Sequence, residues 1–381
     1  MAFLIQHEWS LVGFFVVLFV IAISNLWGIP RLKSQDSRSS GLVSILIPMR
    51  DEGDNAAEAV ACALHQDYPQ FEVIVHEEGS QDHTRKVLES LNNKHLSVIN
   101  GETPPRGWLG KPWACHNLAK AAQGELLIFL DADVRISPRA ISAAVGELER
   151  RNLDLLSLLP HQITRTPGEL LVVSIIPWAL SSFFPVILVR LFGVARITAT
   201  VGQFVLIRKE AYQKIGGHAA VRDSVLEDME LGKLAVENGL TLGLGFGDRL
   251  VHCRMYTGFR PAINGLSKNL FPVFGKHLGL FAFVWTYILY TAWQPIIVIL
   301  THLSSGVGRE GIMLPALLTL SLSSALWAFT AIRFRASLVL AFLFPVVTGI
   351  SWFIAARSAF WHLTGRGTWK GKSIHVSKEA P

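Results

Sequence analysis

Leu126-Leu127-Ile128-Phe129-Leu130-Asp131-Ala132-Asp133-Val134 is an apolar run that ends on two carboxylates. A run of this length and character reads as a buried strand. Such a strand delivers its last side chains to the carboxyl edge of a sheet, where α/β proteins gather ligands. Alternate residues of an extended chain point the same way, which places Asp131 and Asp133 on one face. Two carboxylates side by side repel unless a cation neutralises them. Hard oxygen ligands of this kind suit Mg2+ or Mn2+, completed by the phosphates of a substrate. A lone Asp-x-Asp reads more simply as a solvated strand-end turn, so the weight falls on its surroundings.

The same strand-and-polar-edge pattern recurs along the chain. Residues 42–47 form a β-rich run that stops at Pro48, and helical spacing follows from Asn55 to His65. Phe71–His76 reads as a second strand and leads into the acidic turn Glu77-Glu78-Gly79-Ser80. Thr84–Leu91 has helical spacing and Leu96–Ile99 is a third short strand. A loop with Pro104, Pro105 and Gly107 then reaches Lys111 and a helix near Asn117–Ala122. Further on come a strand at Leu155–Leu159, a polar strand near Gln203–Ile207, and a helix Asp228–Glu237 stopped by Asn238-Gly239. Strands alternating with helices predict an α/β, Rossmann-like fold with a mostly parallel sheet and right-handed crossovers.

Half of the 381 residues are hydrophobic while 17% are charged, a combination that joins a soluble domain to membrane spans. Leu11–Ile29 is long and apolar enough to cross a bilayer. Arg31, Lys33 and Arg38 follow it, which puts its carboxyl end in the cytoplasm. His7 and Glu8 stand where a signal peptide has a basic stretch, and no small-residue cleavage site follows, so the segment reads as an uncleaved anchor. Leu278–His302, Ile312–Ile332 and Ser337–Ala356 are three further candidate spans. Leu170–Ala195 is interrupted by Pro177, Pro185 and Arg190 and reads as an interfacial amphipathic element.

The expected organisation is an anchor at 1–30, a cytosolic domain at 31–275 carrying the interfacial element at about 170–195, spans within 276–360, and a basic tail at 361–381. This organisation predicts a multi-pass protein of the cytoplasmic (inner) membrane with the domain at 31–275 in the cytoplasm. One conflict stays in the charges. Three carboxyl-terminal crossings place Arg357, Arg366, Lys370, Lys372 and Lys378 outside, against the positive-inside rule, unless a segment turns back near Pro345 or another does not span. Cys62, Cys115 and Cys253 show neither zinc-site nor disulfide-framework spacing. The net charge of +6 suits anionic head groups. No basic stripe carries interleaved aromatics, so nucleic acid is not an expected partner.

Three motifs follow one another in order: Pro48-Met49-Arg50-Asp51-Glu52, Glu77-Glu78-Gly79-Ser80-Gln81-Asp82, and Asp131-Ala132-Asp133. Together they resemble the sugar-nucleotide half of family 2 glycosyltransferases of the GT-A fold, over about residues 42–255. The resemblance implies a nucleoside diphosphate sugar as donor. Pro48, Arg50, Glu52, Glu77, Glu78, Asp82 and Asp131 match the positions that bind it. Asp133, helped by Asp131, would hold the Mg2+ or Mn2+. The family usually has Asp-Asp-Gly-Ser at the second turn, whereas this chain has Glu77-Glu78 preceded by His76, which leaves the donor base open.

Gly107-Trp108-Leu109-Gly110-Lys111-Pro112-Trp113-Ala114 resembles the corresponding loop of membrane glycosyltransferases that act on hopanoids and carotenoids of the diaponeurosporenoate type. Lys111 can offset pyrophosphate charge as a point cation. The two Trp residues either line the donor pocket or anchor the loop at a membrane surface. Glu227-Asp228 stands at a helix start, where acids are common on dipole grounds alone. At this position the family has its catalytic base, here Asp228, which would take the proton of an acceptor hydroxyl. Gly202-Gln203-Phe204 and Gly216-Gly217-His218 fall where the family floors its acceptor site. Trp108, Gln203, Glu227 and Arg254 are candidates for contact with the acceptor or the leaving group. Snorkelling at an interface is an equal reading for Arg254 and Lys268.

Processive polysaccharide synthases carry Gln-x-x-Arg-Trp downstream of the base, and nothing after Asp228 matches it. The expected activity is therefore inverting transfer of one sugar, from a UDP-sugar, to a membrane lipid such as a hopanoid, carotenoid or other polyisoprenoid. Inversion and uridine are both implied by the resemblance. The rival readings are a non-catalytic sugar-nucleotide-binding membrane protein, a polysaccharide synthase, and a transporter, whose spans should carry charges facing a path.

Overall fold

The computed structural model describes residues 2–33, 41–193, 200–275, 277–305, 311–369 and 372–373. Arg38, Lys370, Lys378 and residues 194 and 195 of the apolar segment lie outside the described residues. Trp27–Ile163 and Val186–Met255 build one compact unit; Thr164–Pro185 and Tyr256–Gly367, with Met1–Leu26, build another.

The chain starts with α1 (Ala2–Gly28), then β1 (Val43–Met49), α2 (Gly53–Leu64), β2 (Phe71–Glu77), α3 (Thr84–Ser90) and β3 (Leu96–Asn100). Next come α4 (Gly110–Ala121), β4 (Leu126–Leu130), β5 (Val134–Ile136), α5 (Ala140–Arg150), β6 (Leu155–Leu159) and β7 (His161–Gln162). Three short helices follow, α6 (Pro167–Val173), α7 (Ile175–Phe183) and α8 (Val186–Phe192), before β8 (Phe204–Arg208), α9 (Lys209–Lys214) and α10 (Glu227–Glu237). The last elements are β9 (Leu242–Phe246), β10 (Val251–Cys253), α11 (Phe259–Asn269), α12 (Leu278–Ser305), α13 (Met313–Phe334) and α14 (Leu340–Thr364).

The first unit is an α/β layer structure around a seven-stranded sheet of order β3-β2-β1-β4-β8-β6-β9. Ile45 of β1 stands opposite Val73 on one side and Ile128 on the other. Side chains alternate between two cores. Val43, Ile45 and Ile47 join Ile128, Leu130 and the α2 residues Ala56 and Val60 on one face. Leu46, Leu127 and Phe129 meet Cys115 and Leu118 of α4 on the other. Burial on both faces is why these strands read as unbroken apolar runs.

The sheet is mostly parallel, as expected, and three other features differ from the sequence reading, each for a local reason; the strand that departs from the parallel set is β8, antiparallel to both β4 and β6. It is reached after the long excursion through α6–α8, so the single-helix crossover that enforces parallel pairing does not apply. β1 continues through Pro48 to Met49 because beyond Leu46 it pairs with β2 alone, where a missing N–H is tolerated. α4 begins at Gly110, well before Asn117, and Pro112 sits in its first turn, where N–H groups have no helical partner anyway. β8 is a buried apolar strand shifted by one residue from the polar one expected. A small sheet of order β5-β10-β7 is made of two- and three-residue strands that carry no readable period.

In the second unit, α1, α12, α13 and α14 are long and apolar enough to cross a membrane by length and composition. α14 runs unbroken through Pro345, so no turn back occurs there; the Pro345 carbonyl accepts the Trp293 Nε1–H at 3.0 Å. α6 and α7 are too short to span. They bury Val172, Ile175 and Trp178 among the helices of this unit, and Trp178 stacks on Trp327 at 5.0 Å between ring centroids. The Asn25 amide donates to the Ser181 and Phe184 carbonyls at 2.9 and 2.8 Å.

Ser44 locks the centre of the sheet to the turn before β4. Fully buried, it donates to Glu72 at 2.6 Å and accepts the Gly124 N–H at 2.9 Å. Ser44→Ala strands that N–H, and a loss of about 1–3 kcal/mol is expected. Chemical denaturation of the two proteins side by side measures it.

Candidate active site

From β1 the chain winds to β2 and β3 on one side, then returns to β4 on the other. The loops leaving β1 and β4 part company there and leave a crevice, the usual ligand position in such sheets. The lining of this cleft includes Pro48, Lys111, Asp131, His218, Glu227 and Asp228. Of the residues singled out in the sequence, Pro48, Lys111, Asp131, Glu227 and Asp228 therefore meet in one place, although 180 positions separate the first from the last.

Charge is concentrated in this cleft. Lys111 Nζ lies 2.8 Å from Asp131 Oδ1 and 2.9 Å from Glu227 Oε1. Burial works against the ammonium, but Asp131 and Glu227 outweigh it and hold Lys111 well above the usual lysine range. Asp228 is pushed up to about 6 by burial and by the adjacent Glu227 charge. Its carboxylate is aimed by two backbone donors, Gly202 N–H at 2.6 Å and Met229 N–H at 2.8 Å. A Cβ at Gly202 would lie 2.9 Å from Asp228 Oδ2, so glycine is the residue that permits this approach. His218 is driven down to about 3 by burial and stays neutral, paired with the Tyr212 hydroxyl at 2.9 Å.

Asp133 carries the clearest sign of a missing partner. Its Oδ1 is enclosed and has no hydrogen-bond partner. Burial, with the charges of Asp131 and Glu52, pushes its carboxyl up to about 7. Such a group is short of positive charge. Among the described residues no cluster of three or more His, Cys, Asp or Glu forms a closed metal cage. Two carboxylates with open positions nonetheless fit a hard divalent cation that completes its shell with phosphate and water. Asp133 and Asp131 are the residues that would hold it.

The two loops after β1 and β2 are stitched together. Asp51 adopts a left-handed conformation, φ 50°, and donates its N–H to Ser80 Oγ at 3.0 Å while its carboxylate accepts from Gln81 N–H at 2.7 Å. Arg50 Nε stands 3.6 Å from the same carboxylate. Glu77 and Asp82 are spent within this structure. Glu77 accepts from Ser80 N–H at 2.5 Å and Arg85 at 2.7 Å, which hold it below the usual range against burial. Asp82 accepts the Gly53 N–H at the start of α2, at 2.8 Å, and binds Thr84. Glu52 accepts from the Asn55 amide at 2.8 Å. Glu78 packs its carboxylate directly against Gly110, where any Cβ would collide with it.

The remaining candidates lie apart from the cleft lining. Trp108 packs edge-on to Trp113 at 5.1 Å and against His116 at 5.0 Å. Gln203 is buried, donating to Cys253 Sγ at 2.8 Å and accepting from Gln162 at 2.8 Å, which makes it a buttress. Arg254 follows β10. Two residues escaped the sequence reading. Cys253 is brought beside Asp133 because β10 pairs with β5, and Asp133 raises its thiol further after burial. Arg135 pins the Asp131–Asp133 turn by donating to the Ala132 carbonyl at 2.9 Å, itself held by Glu58 at 2.8 Å. Nothing in local spacing signals either one, since both depend on partners far along the chain.

A proton and a cation compete for Asp133. Its carboxyl ionises as pH rises through about 7, so affinity for Mn2+ in the presence of nucleoside diphosphate should strengthen from pH 6 to pH 8. Asp133→Asn should weaken binding and flatten that dependence; Mn2+ titration followed by electron paramagnetic resonance checks both.

Comparison with known proteins agrees with this geometry. Residues 44–216 match the model of the family described as glycosyl transferase family 2. The 4,4'-diaponeurosporenoate glycosyltransferase of Staphylococcus haemolyticus is 26% identical over 248 residues, 62% of this chain and 63% of that protein. Its Staphylococcus aureus counterpart (strain USA300) is 27% identical over 235 residues, 60% of each. The chain thus spans about three fifths of the length of these curated relatives. A solved mannosyltransferase from Pyrobaculum calidifontis, in complex with GDP-Man and Mn2+, shares the fold at a TM-score of 0.55 and 17% identity, covering 94% of this chain and 99% of that one. The cleft accordingly sits in a domain with the fold of that mannosyltransferase, within and beside the stretch, residues 44–216, that matches the glycosyl transferase family 2 model.

Proposed function

We propose that the protein is a membrane-held, inverting glycosyltransferase that moves a single sugar from a nucleoside diphosphate sugar to a lipid. One observation carries this reading: Asp131, of the Asp131–Asp133 pair, and the base candidate Asp228 line the same cleft, with Lys111 bridging Asp131 to Glu227. Residues 31–275 would work at the cytoplasmic face of the cytoplasmic membrane, held by the anchor and the carboxyl-terminal helices. Arg31 and Lys33 after α1 favour that orientation.

A divalent cation at Asp133 and Asp131 would stabilise the charge that develops on the departing diphosphate, a contribution of several kcal/mol. Lys111 supplies a further positive charge at the same edge. Asp228 takes the proton of the acceptor hydroxyl as its oxygen attacks the anomeric carbon, and the Gly202 and Met229 N–H groups keep the carboxylate aimed. An ionisation near 6 leaves Asp228 deprotonated yet basic enough near neutral pH. Attack from the face opposite the diphosphate inverts the centre. Glu78, whose carboxylate packs against Gly110 at the start of α4, is the residue we assign to the donor base, with a UDP-sugar as the donor.

The acceptor reading rests on the apolar segment and on the carotenoid relatives. Between β7 and β8 the chain leaves the catalytic sheet for α6–α8, and Leu191 and Phe192 of α8 are 64% and 71% exposed. Apolar side chains this exposed suit a lipid surface. A polyisoprenoid hydroxyl or carboxyl is the acceptor class we favour. A sugar-nucleotide sensor without catalysis would have no use for a buried, aimed Asp228.

The test is release of nucleoside diphosphate by the full chain in lipid, with Mn2+, a panel of nucleotide sugars, and lipid extract present or absent. Asp228→Asn should lower the rate by about 10²–10⁴-fold with a hydroxyl acceptor, and the rate should rise with pH through about 6. A carboxylate acceptor arrives ionised, so a small loss would identify that class. Leu191→Asp with Phe192→Asp should impair lipid-dependent turnover and spare slow donor hydrolysis. Nucleotide binding with no release from any donor would contradict the proposal.

A further inference from the structure

Lys111 stands in the first turn of α4, where the helix dipole disfavours a cation. Its position therefore needs another cause, and the two carboxylates at 2.8 and 2.9 Å supply one. They belong to different parts of the site. Asp131 follows β4 and faces the donor side, while Glu227 opens α10 next to Asp228. Asp131 is also one of the two carboxylates that fit a divalent cation, yet its Oδ1 is already held by the ammonium. An ammonium and a divalent ion on one carboxylate oxygen repel strongly at such distances.

We infer that Lys111 is the cleft's resident counter-cation: it occupies Asp131 while the donor site is empty, and yields Asp131 when a divalent cation arrives together with a nucleoside diphosphate. This rests on the reading of the cleft as a glycosyltransferase donor site. The diphosphate gives the displaced ammonium a new anionic partner, and Glu227 keeps it tethered beside Asp228 throughout. Cation and nucleotide thereby bind cooperatively, and the cation alone binds poorly. Lys111 and Glu227 are positioning residues in this scheme, coupling a filled donor site to the carboxylate that receives the acceptor proton.

The experiment titrates Mn2+ into the full chain in lipid nanodiscs by electron paramagnetic resonance, alone and with UDP or GDP. Wild type should bind Mn2+ weakly alone and far more tightly with a nucleoside diphosphate. Lys111→Met should bind Mn2+ alone about tenfold tighter than wild type, and should gain less from the nucleotide. Lys111→Arg, which keeps the charge, should behave as wild type. A Lys111→Met protein that binds Mn2+ alone no tighter than wild type overturns the inference. A second measurement needs no variant: reductive methylation of wild type, read by mass spectrometry, should find Lys111 protected without Mn2+ and at low Mn2+, and more reactive only at concentrations high enough to fill the weak site without nucleotide. Unchanged reactivity at saturating Mn2+ overturns the inference even if Lys111→Met fails to fold. Mn2+ that binds no form, with or without nucleotide, would instead sink the donor-site reading itself.

Discussion

Asp131, Glu227 and Asp228 line one cleft with the Lys111 ammonium, and the charge of Asp131 acts on Asp133 beside it. Repulsion among them in a partly enclosed cleft is the constraint from which the local chemistry follows. Burial first, and the neighbouring carboxylate charges after it, lift Asp133 to about 7 and Asp228 to about 6, while Asp131 and Glu227 hold Lys111 charged against burial. A fold assembled for stability alone would separate such groups. Here the sheet forces them together: β4 ends on the Asp pair, β8 delivers Gly202 against Asp228, and α4 and α10 bring Lys111 and Glu227 to the same point. The imbalance of charge is a demand for cations, which a metal-bound diphosphate would meet under the proposed function.

The machinery around these groups is structural in the plain sense. Glu77 and Asp82, expected from the sequence as donor-binding acids, also tie the second turn to Arg85, Ser80 and the start of α2. They shape the place where a nucleotide base would lie, with Glu78 left against Gly110. Gln203 similarly braces Cys253 and Gln162 from inside the core. The distinction between holding the loop and touching the ligand is one that residue identity does not reveal.

Much of the architecture was legible because it is local. The period-two placement of Asp131 and Asp133, the strand at Leu126–Leu130 and the alternation of strands with helices all follow from neighbours in sequence. The four long apolar helices announce themselves by composition. What escaped was set at a distance or disguised by its own residues. The antiparallel course of β8 depends on a forty-residue excursion. Pro112 and Gly110 concealed the first turns of α4. The pairing of β10 with β5, which brings Cys253 to Asp133, leaves no trace in either three-residue strand.

The central claim is that the Asp pair at the switch point of the sheet receives a cation and a diphosphate together. Its most direct test is an experimental structure of the full chain with Mn2+ and a nucleoside diphosphate, in which the anomalous signal locates the metal. The account predicts one strong peak within coordination distance of Asp133, bridged to phosphate oxygens, with Lys111 turned away from Asp131. A nucleotide bound elsewhere, or a diphosphate seated in the cleft with Asp133 still without a cation, would contradict it.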